Sequence, residues 1–399
     1  MRRPKLAYLV SHPIQYQAPL FRYINEHSNI DLTVFYQSDI SVKSYFDVQM
    51  GAHVQWDVDL LGGYKHKFLP LAGSNEVGGV RPVNYGIHAA LSEGGFDALW
   101  THGYAHPVTW RALASARRLG MKTLVRIEST DEVAVRNPWT APFKEAALRW
   151  LFERTDAFLS IGALNREYFL RRGVPPEKIF MVPYAVDNEF FQAKVREARE
   201  HRDSLQREIG LEPGRPVILY ASKFTRRKRA MDLLEAYIGL SARGEEPRPY
   251  LVMAGSGEEL PTVQARARHT GWSSIKFLGF RNQTELPGLF DLCDVFVLVS
   301  EAEPWGLVFN EVMNAGKAVI ASDEVGCRKD LIIEGENGFI VKVGDIPALT
   351  DRLRRITSDP ELAARMGQKS LETINSWGYR EDLEGIERAL DHVLAAQEV

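Results

Sequence analysis

Two carboxylates, Glu303 and Glu311, flank a glycine in the run Glu303-Pro304-Trp305-Gly306-Leu307-Val308-Phe309-Asn310-Glu311. An apolar stretch, 295–299, precedes the run, and V-M-N-A-G-K-A-V-I, 312–320, follows it. The pattern reads as strand, loop, helix, small-residue turn and strand. Glu303 falls on the loop at the first strand's carboxyl end, and Glu311 about one turn into the helix. The chain reverses between them. Carboxylates placed this way can accept from hydroxyls of two different groups, such as a sugar and a ribose. Gly306 lets backbone N–H groups approach a diphosphate at the helix N-terminus, where the dipole favours anions. An isolated glutamate pair at this spacing would be two solvated charges. The surrounding pattern argues for a site.

A basic run lies about eighty residues earlier: Ser222-Lys223-Phe224-Thr225-Arg226-Arg227-Lys228-Arg229, after the apolar stretch Val217–Ala221. Taken alone it would be a solvated charge cluster or a nucleic-acid patch. Paired with the acidic run it suits a phosphate group. Gly255-Ser256-Gly257 follows another apolar stretch, Tyr250–Ala254. The N-terminal half adds polar clusters at strand ends: Ser11-His12-Pro13-Ile14-Gln15-Tyr16-Gln17, His102, and Arg126-Ile127-Glu128-Ser129.

The acidic run resembles the E-x-F-G-L-x-x-x-E-A-M-A-x-G-x-P-V-V signature of family 4 glycosyltransferases, retaining enzymes of the GT-B fold. Trp305, Asn314 and Lys317-Ala318 depart from it, and both glutamates and Gly306 are kept. The resemblance covers nearly the whole chain and is tight over 217–345. It implies that Glu303, Trp305, Gly306, Leu307 and Glu311 hold a nucleotide diphosphate sugar. Gly255 and Gly257 match the family's G-x-G turn, and Phe280 and Arg281 lie near the nucleobase. Lys223 and Lys228 take the places of the family's Arg and Lys on the phosphates, where they would neutralise the departing diphosphate. Arg226, Arg227 and Arg229 have no such counterpart, and some of them are expected to face water. His102 resembles the histidine near the donor sugar. His102, Lys223, Lys228 and Glu303 are thus the expected catalytic set. The N-terminal half resembles a bacterial subset bearing S-H-P-I-Q-Y-Q and R-x-E-S. His12, Gln15, Gln17, Arg126 and Glu128 are its expected acceptor-binding residues. Val182-Pro183-Tyr184-Ala185-Val186-Asp187 resembles the family's V-P-N-G-V-D hinge marker, with Tyr184 and Ala185 departing from it.

Positioning these groups requires alternating strands and helices. Strands are expected at 6–10, 31–36, 98–101, 123–127, 157–161 and 179–182. After residue 210 the pattern restarts at 217–221, 250–254, 275–278, 295–299 and 318–321. Most are continuous apolar runs, as in a parallel sheet covered by helices on both faces. The expected fold is α/β: two doubly wound Rossmann-like domains facing each other across a cleft, the GT-B arrangement. The charged, Pro/Gly-punctuated stretch 191–216 marks the boundary, which gives an acceptor domain over 1–195 and a donor domain over 196–377. A terminal helix over 381–396 packs back on the first domain, so that about 378–399 belong to it.

The chain has 399 residues, 49 Lys and Arg against 52 Asp and Glu, and two cysteines, Cys293 and Cys327. The near-neutral balance gives no support to a nucleic-acid binder. The cysteines match no zinc spacing and suit reduced thiols in a cytoplasmic protein. The apolar run at 6–10 is too short for a signal or a membrane span. A dehydrogenase is excluded, since no G-x-G-x-x-G follows the first strand of either half. Asp57-Val58-Asp59 is the D-x-D triplet that holds a metal in another glycosyltransferase fold. Here it alternates with apolar residues over 56–61 as in an edge strand, so no metal and no cofactor is expected. A partly basic amphipathic stretch, 143–154, suits either an ordinary packed helix or a peripheral inner-membrane contact. The expected activity is retaining transfer from a UDP- or GDP-sugar to a saccharide, lipid-linked or small-molecule hydroxyl, in surface polysaccharide or glycolipid synthesis. The alternative is a non-catalytic sugar-nucleotide-binding or regulatory protein on the same fold.

Overall fold

A computed structural model describes residues 3–79, 81–131, 141–241 and 248–395. The chain forms two compact units. The first comprises residues 1–45, 58–186 and 378–399, and the second comprises 46–57 and 187–377.

Fifteen strands run in chain order among the described residues. They are β1 (Lys5–Val10), β2 (Asp31–Tyr36), β3 (Tyr45–Asp47), β4 (Ala52–Val54), β5 (Lys65–Phe68), β6 (Ala98–His102), β7 (Lys122–Arg126), β8 (Ala157–Ser160), β9 (Ile179–Met181), β10 (Val217–Ala221), β11 (Tyr250–Ala254), β12 (Ile275–Gly279), β13 (Val295–Leu298), β14 (Ala318–Ser322) and β15 (Gly338–Val341). The first unit holds a parallel sheet in the order β5-β2-β1-β6-β7-β8-β9. The second holds a parallel sheet in the order β12-β11-β10-β13-β14-β15. β3 and β4 form a separate small sheet.

Burial explains why these segments are strands. β10, β11 and β14 are buried at every residue, which a β-branched apolar run tolerates and a polar one does not. Polar Lys65-His66-Lys67 escaped the apolar pattern because β5 is an exposed edge strand, where lysines discourage further pairing. β15 begins at Gly338, where a Cβ would lie 2.1 Å from the Val319 carbonyl oxygen, so close backbone approach requires glycine.

In each sheet the strand order reverses beside the unit's first strand. The reversal lies between β1 and β6 in the first unit and between β10 and β13 in the second. Ligands of open α/β sheets bind at the carboxyl ends of strands flanking such a switch point. Ser11–Gln17 leave β1 and His102 ends β6. Lys223 leaves β10 and Glu303 leaves β13.

β3, β4, β5 and β15 are strands beyond those expected, and three further segments differ from the sequence reading. Residues 56–61 form no strand. Asp59 accepts from the backbone N–H groups of Leu61 (3.0 Å) and Gly62 (2.9 Å), a turn that local side-chain bonding favours over a ladder. The charged stretch after Phe191 is two helices of the second unit, Asn188–Glu200 and Arg202–Ile209, and the units divide after Val186 within the V-P-Y-A-V-D run. Asp187 caps the first of these helices, accepting from Phe190 N–H at 2.9 Å. Residues 46–57 go with the second unit.

The terminal helix, Tyr379–Ala395, packs on β8 and β9 of the first unit. No helix among the described residues is long and apolar enough to cross a membrane. The helix Ala141–Phe152 buries Leu148, Leu151 and Phe152 and leaves Phe143 and Trp150 exposed.

Gly385 makes the terminal helix's approach possible, since a Cβ there would lie 2.0 Å from the Met181 carbonyl oxygen. Helix propensity alone predicts that Gly385→Ala stabilises by up to about 1 kcal/mol. The packing predicts the opposite sign, a loss of about 1–3 kcal/mol. Thermal melting should show a lower Tm for the alanine variant.

Candidate active site

The second unit's site begins with Glu303, whose residue is only 8% exposed. One oxygen, Oε2, accepts from Lys228 Nζ at 2.5 Å and from Arg227 Nη1 at 2.9 Å. No described group donates to the other oxygen. Two cations therefore hold the carboxylate in place through one oxygen, and Oε1 keeps its capacity to accept. Burial pulls Lys228 below the ordinary lysine value, and the Glu303 charge only partly offsets this.

The loop carrying Glu303 is pinned by its neighbour after β14. Glu303 N–H donates to the Glu324 carbonyl at 3.0 Å, and Gly326 N–H donates to the Glu303 carbonyl at 2.9 Å. The Glu324 carboxylate accepts from Ala302 N–H at 2.9 Å. Ala302 sits at φ 49°, a left-handed conformation that a residue with a Cβ adopts only where its surroundings enforce it. Arg227 also donates to the Ala302 carbonyl, at 3.1 Å. The sequence reading passed over Glu324 and Gly326. A carboxylate and a glycine just beyond a buried strand were the available signal.

Gly306, at φ 93°, opens the turn into the helix Val308–Met313. The N–H groups of Gly306 and Leu307 meet no acceptor among the described residues. Trp305 faces the interior, stacked on Trp377 at 5.7 Å, with its indole N–H donating to Asn310 at 2.8 Å. Glu311 is partly exposed, and no described group donates to its carboxylate. Its desolvated surroundings push the carboxyl up to about 8. At neutral pH it is then largely protonated and can donate one hydrogen bond while accepting another.

Lys223 donates to Asp47 at 2.9 Å and to Gln49 at 3.1 Å. Gly255 and Gly257 serve the chain's own backbone. A Cβ at Gly255 would lie 1.9 Å from the Ser222 carbonyl oxygen, and one at Gly257 would lie 2.5 Å from that of Phe224. Phe280 is partly buried, and Arg281 pairs with Glu285 at 3.0 Å. Arg229 pairs with Asp232 at 2.7 Å, and Arg226 is exposed.

The first unit gathers a second cluster. His102 Nε2 lies 2.8 Å from Glu128 Oε1. A carboxylate only accepts, so Nε2 carries a proton. Nδ1 faces the Tyr8 hydroxyl at 3.0 Å and the Gln17 amide nitrogen at 3.3 Å. Burial alone would raise the Glu128 carboxyl, but bonds from His102 and Tyr184 hold it below the usual carboxylate range. The Tyr184 hydroxyl lies 2.6 Å from Glu128 and 2.8 Å from the Tyr16 hydroxyl. Tyr184 gives its one proton to the carboxylate, so Tyr16 is the donor to Tyr184. Burial pushes the tyrosine hydroxyls well above their ordinary value, which keeps them as neutral donors.

Arg126 lies inside the unit, 4% exposed in its side chain, with its guanidinium 5.0 Å over the Tyr184 ring. It faces Asp382 at 3.6 Å, and burial still pushes that carboxyl up to about 7. Of the R-x-E-S pair, Glu128 is the one that reaches solvent. Burial also takes His12 down to about 4, and its imidazole is neutral at physiological pH. His12 bonds Ser11 at 2.9 Å, and Gln15 is partly buried. Tyr16 and Tyr184 went unassigned in the sequence reading. Tyr184's departure from V-P-N-G-V-D was the signal for it.

No group of three or more His, Cys, Asp or Glu among the described residues is placed to hold a metal. The Asp57 carboxylate is engaged by Thr284 N–H and hydroxyl. Both cysteines are buried free thiols, and burial pushes Cys293 up to about 12.

Comparison with known proteins fits this two-unit arrangement. Residues 201–373 match the family described as glycosyl transferases group 1, and residues 57–185 match the glycosyl transferase 4-like domain. The chain is a family 4-type glycosyltransferase of the GT-B fold. This glycosyltransferase is 28% identical over 263 residues to alpha-D-kanosaminyltransferase of Streptomyces kanamyceticus, covering 64% of the chain and 66% of that relative. It is 25% identical over 283 residues to N-acetyl-alpha-D-glucosaminyl L-malate synthase of Bacillus anthracis, covering 70% of each. In fold it is similar to Anabaena HepE, whose crystal structure contains UDP and glucose. The TM-score is 0.68 at 16% identity, over 97% of this chain and 99% of that one.

Glu311 sets a pH signature. Its folded value, about 8, lies above an ordinary glutamate's 4.5. Between those values the folded state keeps a proton that the unfolded state releases. The contribution is therefore intact below about pH 4.5 and is lost as pH rises through about 8. Glu311→Gln removes this loss. Denaturant unfolding should show the variant gaining on wild type from pH 5 to pH 9, by on the order of 2 kcal/mol after allowance for partial exposure. A difference independent of pH would contradict the assignment.

Proposed function

We propose that this glycosyltransferase moves a sugar from a nucleoside diphosphate sugar, with UDP or GDP as carrier, to an acceptor hydroxyl, with the anomeric configuration retained. The observation that carries the reading is the Glu303 carboxylate, held through one oxygen by Lys228 and Arg227 at the switch point of the second sheet. Its other oxygen is free for a sugar hydroxyl. The nearby unpartnered Glu311 suits the ribose. The named sugar transfers of the relatives, and the UDP and glucose held by HepE, support the same class.

In this reading the bond between the anomeric carbon and the diphosphate oxygen breaks, and its electron pair leaves on the diphosphate. Positive charge spreads over the sugar ring in an oxocarbenium-like state. Lys228, Arg227 and Lys223 stabilise the departing diphosphate. The acceptor oxygen attacks from the same face, and its proton passes to the leaving phosphate oxygen. Trapping of a glycosyl-enzyme adduct would sink this route. Glu128, with His12, Gln15 and Gln17 nearby in sequence or space, supplies the acceptor side, and His102, bonded to Glu128, is the catalytic histidine near the donor sugar. The acceptor is a saccharide, lipid-linked or small-molecule hydroxyl, and a surface polysaccharide or glycolipid pathway is the setting this reading favours. Exposed Phe143 and Trp150 suit a peripheral contact with the cytoplasmic face of the inner membrane.

Two experiments test this reading. Lys228→Ala and Glu303→Gln should each lower turnover of the nucleotide sugar that thermal-shift screening selects, by roughly 3–4 kcal/mol or two to three decades in rate. Wild-type rates in either variant would remove that residue from the mechanism. The chemistry needs no divalent ion, so EDTA should leave the rate unchanged. Loss of activity that Mn²⁺ restores would overturn that part.

A further inference from the structure

Residues 46–57 lie early in the chain yet belong to the second unit. They meet three successive loops at the carboxyl end of its sheet. After β10, Lys223 donates to Asp47 and Gln49. After β11, the Ser256 hydroxyl donates to the Met50 carbonyl at 2.7 Å. After β12, the Asn282 amide donates to the Gln55 carbonyl at 2.7 Å, and Thr284 donates to Asp57. Two exposed apolar residues, Phe46 and Val48, sit on the same segment.

These loops are the ones on which the proposed donor site depends. Asp47 is a carboxylate on a lysine assigned to a diphosphate. An anion of higher charge arriving at Lys223 must displace Asp47 or share the lysine with it, and sharing sets negative charges against each other. Asp47 is well suited to hold the lysine meanwhile. Its backbone carbonyl accepts from Gly51 N–H at 2.8 Å, and its Oδ1 accepts from Met50 N–H at 2.9 Å. The turn thus presents the second carboxylate oxygen to Lys223. Burial would raise this carboxyl, but the lysine and the turn N–H groups hold it below the ordinary range.

We propose that residues 46–57 form a strap over the donor site, in which Asp47 and Gln49 occupy Lys223 in place of the donor diphosphate and are released from it when a nucleoside diphosphate binds. The inference rests on the donor reading of the preceding subsection. It makes Asp47 a competitor that sets donor affinity, a role distinct from that of a ligand to the sugar.

Asp47→Asn tests it cleanly. Asparagine keeps an amide oxygen for the Met50 N–H, so the turn survives, and removes the charge that competes for Lys223. Calorimetric titration with UDP and with GDP, on the full chain, should show binding about two- to fivefold tighter in the variant than in wild type. The gain should vanish in a Lys223→Ala background. In the wild-type protein, amide hydrogen exchange over 46–54 should accelerate when the same nucleotide saturates the site. Unchanged or weaker binding in Asp47→Asn, with wild type still binding, overturns the strap and leaves the donor reading standing. Slower exchange over 46–54 also overturns it, since the segment would then close on the nucleotide. If neither nucleotide binds wild type or variant, the donor reading fails and the strap fails with it.

Discussion

The second unit's candidate site is organised around one shared acceptor. Glu303 Oε2 takes a lysine and an arginine at once, in surroundings dry enough to pull the lysine's proton affinity down. A buried ion cluster of this kind is weak evidence for stability, because desolvation offsets most of the attraction. Its value lies in placement. Lys228 and Arg227 come from the loop after β10, and Glu303 comes from the loop after β13. The bonds tie together the two strands at which the sheet order reverses. Removing Glu303 or Lys228 would leave a buried charge short of its partner and would loosen both loops together, whereas the more exposed Arg227 adds a second hold on the same oxygen. The constrained Ala302 backbone and the Glu324 pins serve the same end from the other side.

The first unit solves a similar placement problem with different chemistry. Its cluster is mostly neutral: tyrosine hydroxyls and an amide feed into His102 and Glu128. The buried charge is confined to Arg126 and Asp382 behind them, and Arg126 supports the Tyr184 ring. Both clusters lie at switch points. In each case a parallel sheet supplies rigid strand ends, and the strand ends and loops carry the candidate site groups.

Much of this was legible from residue order. Apolar runs such as Val217–Ala221 and Tyr250–Ala254 coincide with β10 and β11, because a strand covered on both faces must be apolar throughout. Glu303, Glu311, Lys223 and Lys228 fall on the expected loops and helix. The parts that sequence obscured share a physical cause. Polar β5 lies at an edge, where pattern rules fail. Arg126 is expected from its motif to bind an acceptor but is stabilised inside by a ring and a distant aspartate, a pairing across more than two hundred residues. The pairing of Lys223 with Asp47 is likewise long-range, and spacing cannot reveal it. Trp305 occupies a motif position yet turns inward to Trp377.

The way the chain is shared between the units has a consequence for inheritance. The backbone passes from one unit to the other four times, at 45/46, 57/58, 186/187 and 377/378. Neither unit is therefore a single stretch of gene. A recombination joining the front half of one such gene to the back half of another would leave the second unit with a foreign 46–57 segment and the first with a foreign terminal helix. Gly385 against Met181 and Asp47 against Lys223 would then pair residues from two different parents. Exchange of halves between relatives is thus constrained at two short segments far from the obvious joint, and these are the places where a working chimera would need its parent's residues restored.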